Sequence, residues 1–279
     1  MVRRKLKSEG EFSRFFRWSL FTGKGPWGIL GPGLVPKKKE EGLFVLPTRG
    51  VSSPFLYLSS LIIELAMGGR LVRLCGPERL SGGTVPIGPV SCRGYPFPDA
   101  TWRDESFRVR LTLFPVPGEM SIALRLRLLL REEGILRVRP VFGFRSIYDL
   151  NREREIPLGV RREESGIFLR YGAEPVPPFV VAAPGFEFSG EFSWVRGIRY
   201  PVDEERGEGA VEDLPTPGYL AVQLSKGPTT LYLLFSSEKK WEDAISEKPS
   251  PLLRRIRGTL KRGRPLTSDL PRIFQKDFN

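Results

Sequence analysis

The sequence predicts a mostly β chain: a large antiparallel two-sheet sandwich with short C-terminal helices. Three observations predict it. Apolar and basic residues alternate with period two at 108–114 and 121–130, the signature of strands with one buried face. Glycine (30) and proline (26) punctuate the chain between short apolar runs, as turns between strands require. A helical period of 3.6 is read only after Ser237.

In chain order, residues 1–17 form a basic, aromatic lead-in. Gly23, Gly25 and Gly28 spell a dinucleotide-binding glycine pattern, but Gly31-Pro32-Gly33 forbids the helix that such a site needs, so a loop is expected. Short strands follow at 43–46, 55–58, 61–65, 71–75 and 108–114. Gly68-Gly69 reads as a hairpin turn and 76–98 as loop. In 121–130, Ile122, Leu124, Leu126 and Leu128 oppose Arg125 and Arg127. Helix is the competitor there, and the period-two charge pattern favours strand. Glu132-Glu133-Gly134 turns the chain and 135–142 returns. Further strands are expected at 167–171, 179–183, 186–188, 219–224 and 230–235. Residues 18–237 therefore make one β domain, and 238–279 a basic helical linker or tail. There Ser250 caps a helix whose Leu252, Leu253, Ile256 and Leu260 share a face, and Gly263 stops it. A second helical turn carries Leu270, Ile273, Phe274 and Phe278, an apolar face with no evident cover.

Composition excludes several chemistries. The chain of 279 residues has no histidine, which removes Ser-His-Asp and Cys-His catalysis and histidine-ligated metal sites. Cys75 and Cys92 are too few for a zinc cage. Buried thiols in a reducing compartment are expected, with a disulfide as the alternative. No metal and no cofactor are expected. The scarcity of Asn and Gln suggests a heat-adapted source, which biased base composition would also explain. The net charge is +12, a hint of nucleic-acid or membrane-surface contact. Its distribution weakens the hint: residues 248–279 hold nine basic and two acidic residues, and much of the other arginine alternates with apolar residues along the expected strands, where a solvated sheet face is the default explanation. Arg3, Arg4, Lys5 and Lys7 are followed by Glu9 and Glu11 rather than by an apolar run, so no secretory signal is read. The apolar run 55–67 is too short to span a bilayer. A cytoplasmic location without membrane contact is expected.

Residues 200–218 stand apart. They gather Asp203, Glu204, Glu205, Glu208, Glu212 and Asp213 around Arg206-Gly207, and Pro215, Pro217 and Gly218 close the segment as a stiff turn. A solvated acidic turn is the plain alternative. Glu205-Arg206-Gly207, Val211-Glu212-Asp213-Leu214 and Pro217-Gly218 resemble a segment of the N-terminal domain of archaeal and bacterial glycogen debranching enzymes. Two more segments carry the resemblance in the same order. One is Trp18-Ser19-Leu20-Phe21-Thr22-Gly23-Lys24-Gly25; the other is Arg139-Pro140-Val141-Phe142-Gly143-Phe144-Arg145 with Leu150, Arg152 and Glu153. The sequence departs from the family pattern at Glu40 and Glu41, where an aromatic residue and a histidine are usual.

The resemblance implies a supersandwich fold and a part in α-1,6-glucosidic debranching of α-glucans. It implies no catalytic residue here, because the family places its acid and base in a helical barrel downstream. The chain is therefore expected not to be catalytic alone, but to serve a separate (α/α) barrel chain or to self-associate. Trp18, Thr22, Gly23, Gly25, Arg145, Arg206, Gly207, Glu212 and Asp213 are its candidate partner- or substrate-facing residues. Arg206 is expected as a clamp or contact beside Glu212 and Asp213. A basic, β-rich nucleic-acid-binding protein is the rival reading; arginines and lysines clustered with exposed aromatics on one sheet face would favour it, and arginines spread around the sandwich would favour the first.

Overall fold

The computed structural model describes residues 18–21, 27–31, 33–47, 53–77, 85–94, 97–116, 118–154, 156–172, 176–190 and 192–262. The lead-in, Thr22, Gly23 and Gly25, the stop at Gly263 and the apolar face with Phe274 and Phe278 lie outside them.

The described residues form eighteen strands and three helices. The first strands are β1 (Trp18–Phe21), β2 (Trp27–Leu30), β3 (Gly42–Leu46), β4 (Phe55–Met67) and β5 (Arg70–Cys75). Next come β6 (Ser91–Arg93), β7 (Asp99–Arg103), β8 (Phe107–Pro115), β9 (Ser121–Leu130) and β10 (Gly134–Ser146). Then follow β11 (Leu158–Glu163), β12 (Gly166–Tyr171), β13 (Phe179–Ala182), β14 (Glu187–Ser189) and β15 (Ser193–Arg199). Last are α1 (Pro201–Glu205), β16 (Val211–Thr216), β17 (Tyr219–Leu224), β18 (Gly227–Ser236), α2 (Lys239–Ala244) and α3 (Pro249–Arg262).

These make the expected antiparallel two-sheet sandwich. Sheet one runs β1-β2-β3-β4-β10-β17-β14, with β5 also on β4. Sheet two runs β11-β12-β13-β18-β9-β8-β7-β6. Their facing side chains form one core, from Phe44, Tyr57 and Phe142 on the first sheet to Leu111, Leu124 and Phe235 on the second. Each sheet is also covered on part of its far side. A β15–β16 ribbon packs Val195, Ile198, Tyr200 and Leu214 onto Ile62 and Val141 of sheet one. Trp241, Ile245, Leu252 and Ile256 of the α2–α3 region pack on Ala123, Phe168 and Leu234 of sheet two. Double coverage explains why β4 reads FLYLSSLIIELAM without alternation.

Several expectations are refined. The two strands expected at 55–58 and 61–65 are one. Ser60 pairs with Val141 and Leu58 with Phe142, which leaves Ser59 as a bulge rather than a turn. Gly68 and Gly69 do turn the β4–β5 hairpin, both at positive φ (53° and 69°). Within the acidic segment 200–218, Pro201–Glu205 form α1 and Val211–Thr216 form β16, so Pro215 lies in a strand rather than in the closing turn, and the outlying ribbon tolerates it opposite Trp194. Helix α3 begins at Pro249 instead of Pro251, and its Leu252 and Ile256 are fully covered by sheet two and Trp241. Cys75 and Cys92 are free thiols. Burial pushes both up, Cys92 to about 12, so neither is a ready nucleophile.

Gly143 in β10 has no room for a side chain: a Cβ there would lie 2.6 Å from Leu56 Cγ and 2.8 Å from its carbonyl oxygen. Gly143→Ala is expected to cost about 1–3 kcal/mol by overpacking, read as a lower urea midpoint with unchanged slope.

Candidate functional site

The site is built where β10 leaves sheet one. Register shifts flank Phe142 and Arg145, and Phe144 sits at φ 45°, a conformation costly for an aromatic residue. Phe142 and Phe144 nonetheless both turn into the core, stacked at 4.9 Å, and Phe144 stacks on Tyr171 at 5.1 Å. The strain is thus held by packing, and Arg145 emerges on the opposite face, beneath the ribbon.

There Arg145 meets Glu212 of β16. Nε donates to Oε2 at 2.9 Å and Nη2 to Oε1 at 2.7 Å. The other guanidinium hydrogens reach the carbonyls of Ser146 (2.9 Å), Ile147 (3.2 Å) and Lys39 (2.9 Å). All donors of the guanidinium are used. Glu212 also accepts from the Asn151 backbone N–H at 3.0 Å and from the Tyr200 hydroxyl. Both charged side chains are buried, at 3% and 0% exposure. Complete satisfaction is what makes a buried ion pair tolerable. Burial pulls the Arg145 guanidinium down, but Glu212 and Tyr200 outweigh it and the net direction is up. Burial, reinforced by Glu212, pushes the Tyr200 phenol well up, so it stays a donor.

Two further contacts lock the ribbon. Asn151 Nδ2 donates to the Gly143 carbonyl at 2.5 Å, tying the bulge to the following turn. Asp213 accepts from the Gly197 N–H at 2.9 Å and from the Glu153 N–H at 3.3 Å. At the exposed rim, Glu153 and Arg196 form a two-point ion pair.

Beside the clamp, the 37–41 turn docks on α1. The Val202 N–H reaches the Lys37 carbonyl at 3.1 Å. The Lys39 N–H reaches Asp203 Oδ2 at 2.7 Å, and Lys39 Nζ pairs with Glu208 at 2.9 Å. Glu40, Asp203 and Glu208 bring carboxylate oxygens within 4.8 Å of one another. They are the residues here that could approach a cation, and the Lys39 ammonium already sits on Glu208. Lys39 holds the Glu208 carboxyl below the ordinary range, whereas burial raises that of Asp203.

The candidate residues therefore separate. Arg145, Glu212 and Asp213 meet in one network. Trp18 lies in the core between the sheets at 1% exposure, away from any surface. Arg206 is exposed at the end of α1, and Gly207 follows at φ 71°. The guanidinium that clamps Glu212 is that of Arg145, not Arg206. Tyr200, Asn151 and the Lys39 carbonyl were not among the candidates. Asn151, one of only two asparagines, was the available signal.

The model of the glycogen debranching enzyme N-terminal domain matches residues 33–231, which include every member of this network. The chain belongs to that family. Among solved structures it is similar to a GalM/aldose epimerase homologue from C. elegans, at 8% identity and a TM-score of 0.46, over 80% of this chain and 98% of the other. It is also similar to a bacterial glucoamylase complexed with acarbose, at 8% identity and a TM-score of 0.43, over 88% of this chain but 39% of the glucoamylase. No curated protein sequence matches it. Among the described residues no helix is long and apolar enough to cross a membrane.

Removing one partner of the clamp strands a buried charge. Arg145→Ala is expected to cost about 3–5 kcal/mol, read by urea unfolding, and Arg145→Lys to restore little because an ammonium cannot make the two-point contact. Asp203 gives a pH signature. Its raised folded pKa means that the folded chain holds the proton more tightly than the unfolded chain does. The resulting destabilisation is full above the folded pKa and is relieved as pH falls through it toward the unfolded value. Asp203→Asn, which keeps an acceptor for Lys39, is expected to raise the melting temperature at neutral pH, and the gain to vanish in acid.

Proposed function

We propose that this debranching-type domain is not itself catalytic, and that it serves α-glucan debranching by seating a separate catalytic barrel. The buried Arg145–Glu212 clamp is the observation that carries the reading. Glycoside hydrolysis needs two carboxyl groups free to face a sugar, roughly 5–9.5 Å apart. Glu212 is walled in by four donors. Asp213 is spent on backbone N–H groups. Asp203 and Glu208 are held by Lys39. These four acids thus build a rigid support rather than a reaction centre.

The supported surface is α1 with the 37–41 turn. Its exposed side chains are Glu204, Glu205, Arg206 and Glu208, with Lys38, Lys39 and Glu40 half-buried beside them; it is mixed in charge and tied to sheet one through the Lys39 carbonyl on Arg145. Rigidity lowers the ordering cost of a contact. With Leu252 and Ile256 already covered, the partner meets α1 rather than the α3 face.

Incubated alone with a branched α-glucan, the chain is expected to release no glucose. Mixed with a candidate barrel chain, it is expected to co-elute and to raise hydrolysis, and Arg206→Ala with Glu204→Ala to weaken both. Glucose release by the lone chain that disappears in Asp203→Asn or Glu208→Gln would overturn the reading. So would a barrel chain that is fully active alone and never co-elutes.

A further inference from the structure

On the outer face of sheet two, β7, β8, β9 and β18 lay arginines side by side. Arg103 stands directly opposite Arg108, and Arg110 opposite Arg127. Arg125 lies between Thr112 and Tyr232. Like charges directly opposite across strands are destabilising. Sheet one does the reverse: Glu64 stands between Arg137 and Arg73. Arg103, Arg108 and Arg127 are exposed, and among the described residues none of the three has an ion pair. The acid within the patch is Asp99, already bonded to Arg110 at 2.8 Å; Asp104 and Glu105 lie in the β7–β8 turn, where Asp104 caps the N–H groups of Ser106 and Phe107. The Arg125 guanidinium is lowered, first by burial and then by Arg127, with Arg110 adding to it. From α3, Arg257 lies 5.2 Å over the Tyr232 ring and extends the field.

We infer that this face binds the phosphate backbone of a nucleic acid. The chemistry of the patch chooses among anionic occupants. A protein partner needs an apolar centre to its interface, and among the described residues of β7, β8, β9 and β18 the exposed large apolar side chain is Leu129 alone, at 52% exposure. Phosphate binding needs charge and counterion release, which an arginine lattice supplies. The rings of Phe114 and Tyr232 lie beneath the guanidiniums of Arg125 and Arg257, so they offer bases no platform. Binding is therefore indifferent to sequence and sensitive to salt. The face lies across the sandwich from α1 and the 37–41 turn, and this inference stands independently of the debranching reading.

The test is fluorescence anisotropy with a labelled duplex of about 20 base pairs, with a single strand and a glutamate peptide of the same length as further arms. Duplex affinity is expected to fall with salt at a log–log slope of about −3, as for three to four phosphates. Reversing Arg108 and Arg127 together (Arg108→Glu, Arg127→Glu) is expected to weaken it at least about tenfold. The same charge change at the exposed Arg152 and Arg154, on the far side of the sandwich, is expected to cost less than about twofold. Circular dichroism checks each fold. If the glutamate pair does not fold, Arg108→Gln with Arg127→Gln removes the charge without adding repulsion, and a loss of about fivefold is expected. No duplex binding at low salt, equal losses from the two charge changes, or tighter binding of the glutamate peptide would each overturn the inference. The last result would make an acidic protein the partner.

Discussion

A guanidinium and a carboxylate taken out of water each cost several kcal/mol, and only full hydrogen bonding in good geometry offsets that cost. Arg145 and Glu212 meet the condition with partners drawn from distant parts of the chain: the Lys39 carbonyl, the 146–151 turn, Tyr200 and β16. The pair therefore binds the ribbon, the acidic segment and the 37–41 turn to sheet one in a single arrangement. None of these pieces has a large core of its own; the apolar contacts beneath the ribbon are confined to Ile62, Val141 and a few neighbours. The ion pair fixes where the ribbon sits, and packing then holds it there.

That dependence reaches into the sheet. Arg145 takes its place because Gly143 and Phe144 absorb a bulge, and Phe144 keeps its costly backbone because its ring is stacked between Phe142 and Tyr171. A core aromatic stack thus sets the aim of a polar side chain on the other side of the sheet. Asn151 closes the loop by holding the Gly143 carbonyl.

The central strands were legible because one face is apolar and the other charged: β8 and β9 announce themselves by alternation, and the glycine pair announces the β4–β5 hairpin. Elements that lack that contrast were not. Strands β6, β7, β11 and β15 are short or polar, and β16 carries Glu212, Asp213 and Pro215, which locally signal a loop. Helix α2 is one short turn with a single large apolar anchor, Trp241. In the site, Arg145, Glu212 and Asp213 could be named from the family-like segments. Their pairing could not, because it exists only after three separate segments meet. Trp18 shows the converse: a residue conspicuous in a motif is simply core.

The placement of β18 has a consequence for how the chain reaches this structure. In sheet two β18 lies between β9 and β13, pairing Ser236 with Ser121 on one side and Val180 on the other. Until the last strand of the domain has been made, β9 and β13 are both open edges with apolar inner faces, and sheet two exists as two unjoined halves. Contacts so far apart in sequence slow folding, since loop closure precedes any gain. On the ribosome the nascent chain must carry the β9 edge from Leu130, and the β13 edge from Ala182, until β18 is made at Gly227–Ser236. Unpaired, strand-rich edges are the surfaces through which partly folded chains associate. The arginines on the far face of β8 and β9 place like charge beside the open β9 edge in that interval, and charged side chains at an edge oppose its pairing with another chain.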